Sequence, residues 1–306
     1  MHEKIQSLIL GQTIGDALGL ASEFMTKEEV KHFYPNGICS YEDIIQDRHR
    51  SLWQKGAWTD DTDQMLCILD SIIENKTINL TDIAKRFVAW KKTDGIGIGR
   101  HTLNVLSIGD YVENPFKASE LVWSMSRKQS AANGAIMRTA ILGCWNYTDW
   151  EQVKSNTENV CKLTHYDPRC VGSCVIITYI VHRCLTNQEI LKSDILSIAN
   201  EYDSRIEEYV EFAYLDNIEA LTLDEQGKIG YTLKTLSAAL WAYNYSTDFY
   251  SGLRTIIEQG GDADTNGAVA GALLGLKFGF NSIPKHLIEN LVGSAILVSK
   301  VNSFRF

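Results

Sequence analysis

The sequence predicts an all-α fold, and three observations carry that prediction. Apolar residues recur three or four positions apart in Ile83-Ala84-Phe87-Val88-Trp90, in Ile190-Leu191-Ile195-Leu196-Ile198 and in Leu233-Leu236-Ala239-Leu240-Ala242, the spacing of one helix face. Strict alternation of apolar and polar residues is scarce, leaving room for two or three short strands only around Tyr41 to Leu52. Only four prolines occur among 306 residues, so the helical runs are uninterrupted. No Pro/Gly/Ser linker or compositional break divides the chain, and residues 1–306 read as one domain.

Composition narrows the function classes. With 45% hydrophobic and 22% charged residues, the chain has an ordinary globular balance and enough apolar content for a sizeable core. A formal charge of -9 argues against nucleic acid or an anionic membrane as the main partner, because either needs a basic surface. Seven cysteines, an odd number with no pair two residues apart, suit a reducing compartment. The first residues carry no secretory pattern, and the longest apolar stretch, Val171 to Val181, is well short of the roughly 20 residues a membrane span needs. A cytoplasmic enzyme, expected to be a monomer, is the reading.

Taken in chain order, the first element is a helix in which Gly11, Gly15 and Gly19 recur every four residues and clear one face. Glycine inside a helix costs about 1 kcal/mol per position relative to alanine, so three in register imply a compensating close contact. Next, Gly56-Ala57-Trp58-Thr59-Asp60-Asp61-Thr62-Asp63-Gln64 runs into the apolar helix Met65-Leu66-Ile68-Leu69-Ile72-Ile73. One helix start uses one capping residue, whereas three carboxylates in four positions repel each other and attract a cation. The helix through Ile83 to Trp90 leads to a glycine-rich loop, Gly95-Ile96-Gly97-Ile98-Gly99-Arg100. Ser130-Ala131-Ala132-Asn133-Gly134 is a small-residue loop before a helix from Ala135 to Leu142, either a plain turn or a backbone cradle for a diphosphate.

Further along, Cys161, His165, Cys170 and Cys174 have a spacing that fits no common zinc site. Tyr231 opens the apolar helix that carries Leu233 to Ala242. Finally, Gly260-Gly261-Asp262-Ala263-Asp264-Thr265-Asn266 repeats the form of the first acidic cluster and enters a helix with Gly267, Gly271 and Gly275 at four-residue spacing. Either the two glycine-lined helices pack on each other, or each meets a bulky neighbour. Together the acidic clusters supply carboxylate and hydroxyl oxygens suited to hard cations such as Mg²⁺ or Mn²⁺, enough for two ions about 3.5–4 Å apart serving hydrolysis. Neither cluster carries the His or Cys that zinc would favour.

These motifs also carry a resemblance. Gly11-Gln12-Thr13-Ile14-Gly15-Asp16-Ala17-Leu18-Gly19 with Glu23-Phe24, then Trp58-Thr59-Asp60-Asp61-Thr62, Asn133-Gly134-Ala135-Ile136-Met137-Arg138, Thr164-His165, Gly230-Tyr231 and Gly260-Gly261-Asp262-Ala263-Asp264-Thr265 resemble, in order, the motifs of the ADP-ribosylglycohydrolase family. The resemblance implies a compact orthogonal multi-helix globule holding two Mg²⁺ or Mn²⁺ ions that engage the hydroxyls of the ribose whose anomeric bond is cut. It implies Thr59, Asp60, Asp61, Asp262, Asp264 and Thr265 as metal ligands, and Glu23, Asp61 or Asp262 as the carboxylate that positions the attacking water. Asn133, Gly134, His165 and Tyr231 would touch substrate, with Gly99 from the glycine-rich loop. Asp16 would be structural, since a carboxylate buried in that helix requires partners.

One stretch departs from the pattern. Members acting on ADP-ribosylated arginine in dinitrogenase reductase carry an aspartate where this chain has Gly97; Asp94, three residues earlier, is the nearest carboxylate. The implied activity is metal-dependent hydrolysis of an ADP-ribosylated protein or small-molecule conjugate, with ADP-ribosyl-arginine the foremost substrate. Serine-linked, O-acyl and nucleobase-linked ADP-ribose are the alternatives, beside a two-metal phosphoesterase and a catalytically silent ADP-ribose-binding protein.

Overall fold

Helical periodicity translates into structure along most of the predicted runs. Ile190 and Leu191 precede their helix, and the run from Ala135 to Leu142 splits into a short α-helix and the 3-10 turn Ala140–Cys144. The computed structural model describes residues 1–304, and among them are sixteen α-helices: α1 (His2–Gly19), α2 (Lys27–Phe33), α3 (Asp60–Asn75), α4 (Leu80–Thr93), α5 (Arg100–Leu106), α6 (Pro115–Met125), α7 (Ile136–Thr139), α8 (Trp150–Lys162), α9 (Pro168–Leu185), α10 (Lys192–Tyr202), α11 (Arg205–Ala213), α12 (Thr232–Tyr245), α13 (Phe249–Ile257), α14 (Ala263–Phe278), α15 (Lys285–Glu289) and α16 (Ser294–Ser303). The strands for which room was left around Tyr41 to Leu52 do not form; Tyr41–Asp43 and Arg50–Leu52 are single 3-10 turns. Local side chains consume the backbone donors a partner strand would need. The Asp43 carboxylate accepts from the Cys39 and Ser40 N–H groups at 2.8 and 2.7 Å, and Asp47 accepts from His49 and Arg50 at 3.0 and 2.8 Å.

The glycine repeats resolve in favour of mutual packing. Helices α1 and α14 lie antiparallel with their backbones in direct contact: a Cβ on Gly11 would strike the Gly271 carbonyl, one on Gly15 the Gly267 carbonyl, and one on Gly19 the Ala263 carbonyl. Reciprocally, a Cβ on Gly267 would sit 2.5 Å from the Gly15 oxygen. Nothing larger than hydrogen fits, which is why the propensity cost of glycine is accepted on both helices. The antiparallel register brings the C-terminal end of α1 beside the N-terminal end of α14. Two segments some 240 positions apart in the sequence therefore meet at one point.

The rest of the helices wrap this pair. Helix α9 is buried along nearly its whole length; Asp167 caps it by accepting from the Arg169 N–H at 2.9 Å, and Pro168 occupies its first turn. Helix α12 packs between α14 and α11, and one apolar cluster runs from Ile5 to Phe304. All seven cysteines are free thiols, and among the described residues no helix is long and apolar enough to cross a membrane.

Candidate active site

The first acidic cluster is tied to the α1–α14 seam by a residue of α1. Asp16, fully buried, accepts from the N–H and the hydroxyl of Thr59 at 2.9 and 2.8 Å with one carboxylate oxygen. Its other oxygen accepts from the N–H and hydroxyl of Thr62 at 3.0 and 2.6 Å. A side chain from α1 thus caps α3, and neither the Thr59 hydroxyl nor the carboxylates that follow it perform that task. Burial still pushes the Asp16 carboxyl up to about 7 against these four hydrogen bonds. The Thr59 hydroxyl lies 2.8 Å from Asp16 Oδ1 and 3.3 Å from Asp61 Oδ2, between the anchor and the cluster.

Around that anchor gather Asp60, Asp61, Asp262, Asp264 and Glu23. Oxygens of Glu23, Asp262 and Asp264 lie within 4.8 Å of one another. Burial, and then the neighbouring carboxylates, hold Asp60, Asp61 and Asp264 well above the usual carboxylate range; Asp262 is pushed up to about 7 by burial and by Glu23, an effect opposed by the hydrogen bond from Asn133. No cationic side chain of the described residues neutralises Asp60, Asp61, Asp262 or Asp264 directly, and the buried Oδ1 of Asp61 has no hydrogen-bond donor among those residues. Clustered carboxylates with an orphaned buried oxygen are the donor set of a hard divalent cation, whose charge would return these groups to their ionised form. The N-termini of α3 and α14 both face this cluster and add partial positive charge, a smaller effect than a divalent ion.

Neighbouring residues fix the cluster in place. Asn133 donates to Asp262 at 2.5 Å and to Thr235 Oγ1 at 3.0 Å, and Thr235 in turn donates to Asn266 at 2.8 Å. Expected as a substrate contact, Asn133 lines the cavity and also orients a carboxylate. Glu23 is 7% exposed and accepts from His49 Nε2 at 2.7 Å. The His49 ring lies between Phe24 and Trp53, with centroids at 5.2 and 5.5 Å. Arg50 braces the same turn by donating to the carbonyls of Leu20, Ala21 and Glu23 at 2.9, 2.8 and 2.6 Å.

A cavity of about 930 Å³ opens from the carboxylates, ample for a nucleotide-sized ligand. Gly99, Gly134, His165 and Thr265 line it, as do Asn104 and Ile108 and, from α6, Val122 and Met125. His165 is 1% exposed, and burial, then His101, hold it well below the usual imidazole range, so it is neutral. His101, its ring tilted against that of His165 with centroids 4.6 Å apart, donates from Nε2 to the Thr164 carbonyl at 2.9 Å and accepts from the Ser130 hydroxyl at 2.9 Å.

Tyr231, expected as a substrate contact, and Asp94, the carboxylate nearest Gly97 in sequence, lie elsewhere. The Tyr231 ring stacks beneath Arg169, accepts from it at 3.3 Å and meets Tyr209, and it does not line the cavity, although its neighbour Gly230 does. Asp94 is exposed at the end of α4 and does not line the cavity either. Gly97, at φ +87°, sits so close to the acidic cluster that a Cβ there would lie 2.7 Å from Asp60 Oδ1. No side chain is accommodated at that position without moving the cluster. Residues given no role by the sequence reading include His49 and Gln64. His49 carried no signal in the chain, whereas Gln64 stands one helical turn after Asp60, a spacing that places the two on one face.

The comparisons agree with this geometry. The family model for ADP-ribosylglycohydrolase matches residues 1–302. The chain is 25% identical to the ADP-ribosyl-[dinitrogen reductase] glycohydrolase of Rhodospirillum rubrum, over 95% of this chain and 91% of that protein. It is 24% identical to the ADP-ribosylarginine hydrolase Tri1 of Serratia proteamaculans, over 95% of this chain and 75% of that one. Among solved structures, an ADP-ribosylglycohydrolase-related protein complex superposes with a TM-score of 0.78 at 24% identity, covering 99% of this chain and 96% of that chain, a likeness of fold.

Proposed function

This chain belongs to the ADP-ribosylglycohydrolase family, enzymes that hydrolyse ADP-ribosyl bonds, and from that premise we propose that it removes ADP-ribose from arginine on a protein in a reaction dependent on divalent metal. The observation that carries the metal dependence is the buried, mutually repelling carboxylate cluster with its orphaned Asp61 oxygen. Arginine as the leaving group is supported by the names of the two relatives, one an arginine hydrolase and one acting on dinitrogen reductase. Free thiols throughout are in keeping with a cytoplasmic enzyme.

Thr59, Asp60, Asp61, Asp262, Asp264 and Thr265 would hold two Mg²⁺ or Mn²⁺ ions. Bound there, the ions would supply Lewis-acid contact to the ribose hydroxyls and lower the pKa of a water. The chain's own residues do the rest. Glu23, one oxygen held by His49, would orient the attacking water with its other oxygen and accept its proton as the C1″–N bond breaks, the arginine departing as neutral guanidine from its protonated guanidinium form. The surrounding carboxylates stabilise positive charge developing on the ribose ring. His165, neutral and set against Gly134, offers a donor to a ribose oxygen.

Incubation with Mg²⁺ or Mn²⁺ and matched arginine-, serine- and nucleobase-linked ADP-ribose substrates tests the reading. Release from the arginine conjugate, lost on chelation and in Asp60→Ala and Asp264→Ala, is the expected result. Release only from another conjugate would replace the arginine assignment, and full activity in both variants would refute the site.

A further inference from the structure

Arg138 is entirely buried at the third position of the four-residue helix α7, yet among the described residues none of its contacts is a carboxylate. Its Nη1 donates to Oε1 of Gln64 and its Nη2 to the hydroxyl of Thr164, while its guanidinium carbon lies 4.3 Å from the centre of the Phe87 ring. Gln64 and Thr164 are themselves fully buried. Each of these two neutral partners touches a different half of the site. Gln64 Nε2 donates to Asp60 Oδ2 at 2.9 Å, and Thr164 Oγ1 meets His165 Nδ1 at 2.8 Å.

Proton counting fixes every direction in this chain. Guanidinium only donates, so the oxygen of Gln64 has to face Arg138 and its NH₂ has to face Asp60. That commits Asp60 Oδ2 to the amide and leaves Oδ1 for other partners. On the opposite side, Thr164 Oγ1 receives a guanidinium proton and has one proton of its own to give; among the described residues its acceptor is His165 Nδ1. His165 is therefore protonated at Nε2, the buried nitrogen that has no partner among the described residues and sits beside Gly134 in the cavity. The opposite tautomer would strand the hydroxyl proton and turn a lone pair, rather than a donor, toward the substrate.

We propose that Arg138 is the positioning residue that sets both halves of the site at once, orienting Asp60 through Gln64 for the cation and His165 through Thr164 for the ribose. The proposal rests on the reading of the cluster as a divalent-cation site, but its first readout does not. In the full-length protein labelled with ¹⁵N at histidine, wild type shows His165 as the neutral Nε2–H tautomer. Thr164→Val, which keeps the shape and removes the hydroxyl, shifts that signature toward a mixture and weakens binding of ADP-ribose at least tenfold, with Mn²⁺ affinity within twofold of wild type. Gln64→Met does the reverse, lowering Mn²⁺ affinity about tenfold with the His165 signal unmoved.

Arg138→Lys moves both readouts, because one ammonium cannot reproduce the fork; should that variant fail to fold, the two flanking variants carry the test. An unchanged His165 signal in Thr164→Val, or unchanged Mn²⁺ affinity in Gln64→Met, overturns the proposal. Wild type that binds no Mn²⁺ but shows the Nε2–H tautomer would instead sink the cation reading and leave the His165 half of the relay standing.

Discussion

The two ends of the cavity are built on different physical terms. At the acidic end, α1 and α14 touch backbone to backbone, Asp16 accepts four hydrogen bonds, and the side chains are almost wholly buried. At the other end, the wall includes the helix α6, with Met125 75% exposed, followed by Arg127 and Lys128 at φ 54° and 60°. In the proposed function, chemistry falls to the over-determined end, and recognition of the remainder of the ligand falls to the end where few contacts constrain the wall. The difference teaches why substitutions at one end should abolish function or folding while those at the other should tune affinity.

The largest effect is expected at the seam. Gly15→Val pushes a branched side chain against the Gly267 carbonyl and should cost at least about 3 kcal/mol, at or beyond the upper range for overpacking. Little folded protein should be recovered, as read by thermal melting; a variant that melts within a few degrees of wild type would show that the seam yields.

An intermediate effect belongs to Gly97, at the boundary between the two ends. Gly97→Ala introduces a Cβ 2.7 Å from Asp60 Oδ1 at a positive φ, a backbone cost of roughly 1–2 kcal/mol together with displacement of Asp60. Metal-dependent turnover should fall at least tenfold while the protein still folds, and Gly97→Asp should be worse because it adds a carboxylate beside Asp60. Improved turnover in Gly97→Asp would mean that this loop rearranges to accept the acid group. The smallest effect is expected at the α6 wall, where Met125→Ala should raise KM only a few-fold with kcat unchanged; a fall in kcat would erase the contrast drawn between the two ends.

Much of the fold was readable because helices advertise themselves through periodicity, and the glycine spacing of α1 and α14 marked a cleared face on each while leaving open what would fill it. The candidate ligands were readable because carboxylates and hydroxyls clustered within a few residues leave few other uses. Short strands were left possible near Tyr41 to Leu52; Asp43 and Asp47 instead capture the backbone donors of that segment in turns. Tyr231 was legible as an aromatic at a helix start, yet its ring lies against Arg169, a contact 62 positions away that no local pattern encodes.

By itself, then, the sequence determined the helical class, the two acidic clusters and the identity of the glycine-lined faces, all properties that repeat or concentrate within one turn or one loop. Only the tertiary structure decided which faces meet, that Asp16 rather than Thr59 caps α3, that His49 holds Glu23, and that Arg138 joins Asp60 to His165 through Gln64 and Thr164. Those pairings depend on hydrogen-bond direction and burial between segments distant in the chain, and such information exists only once the helices have packed.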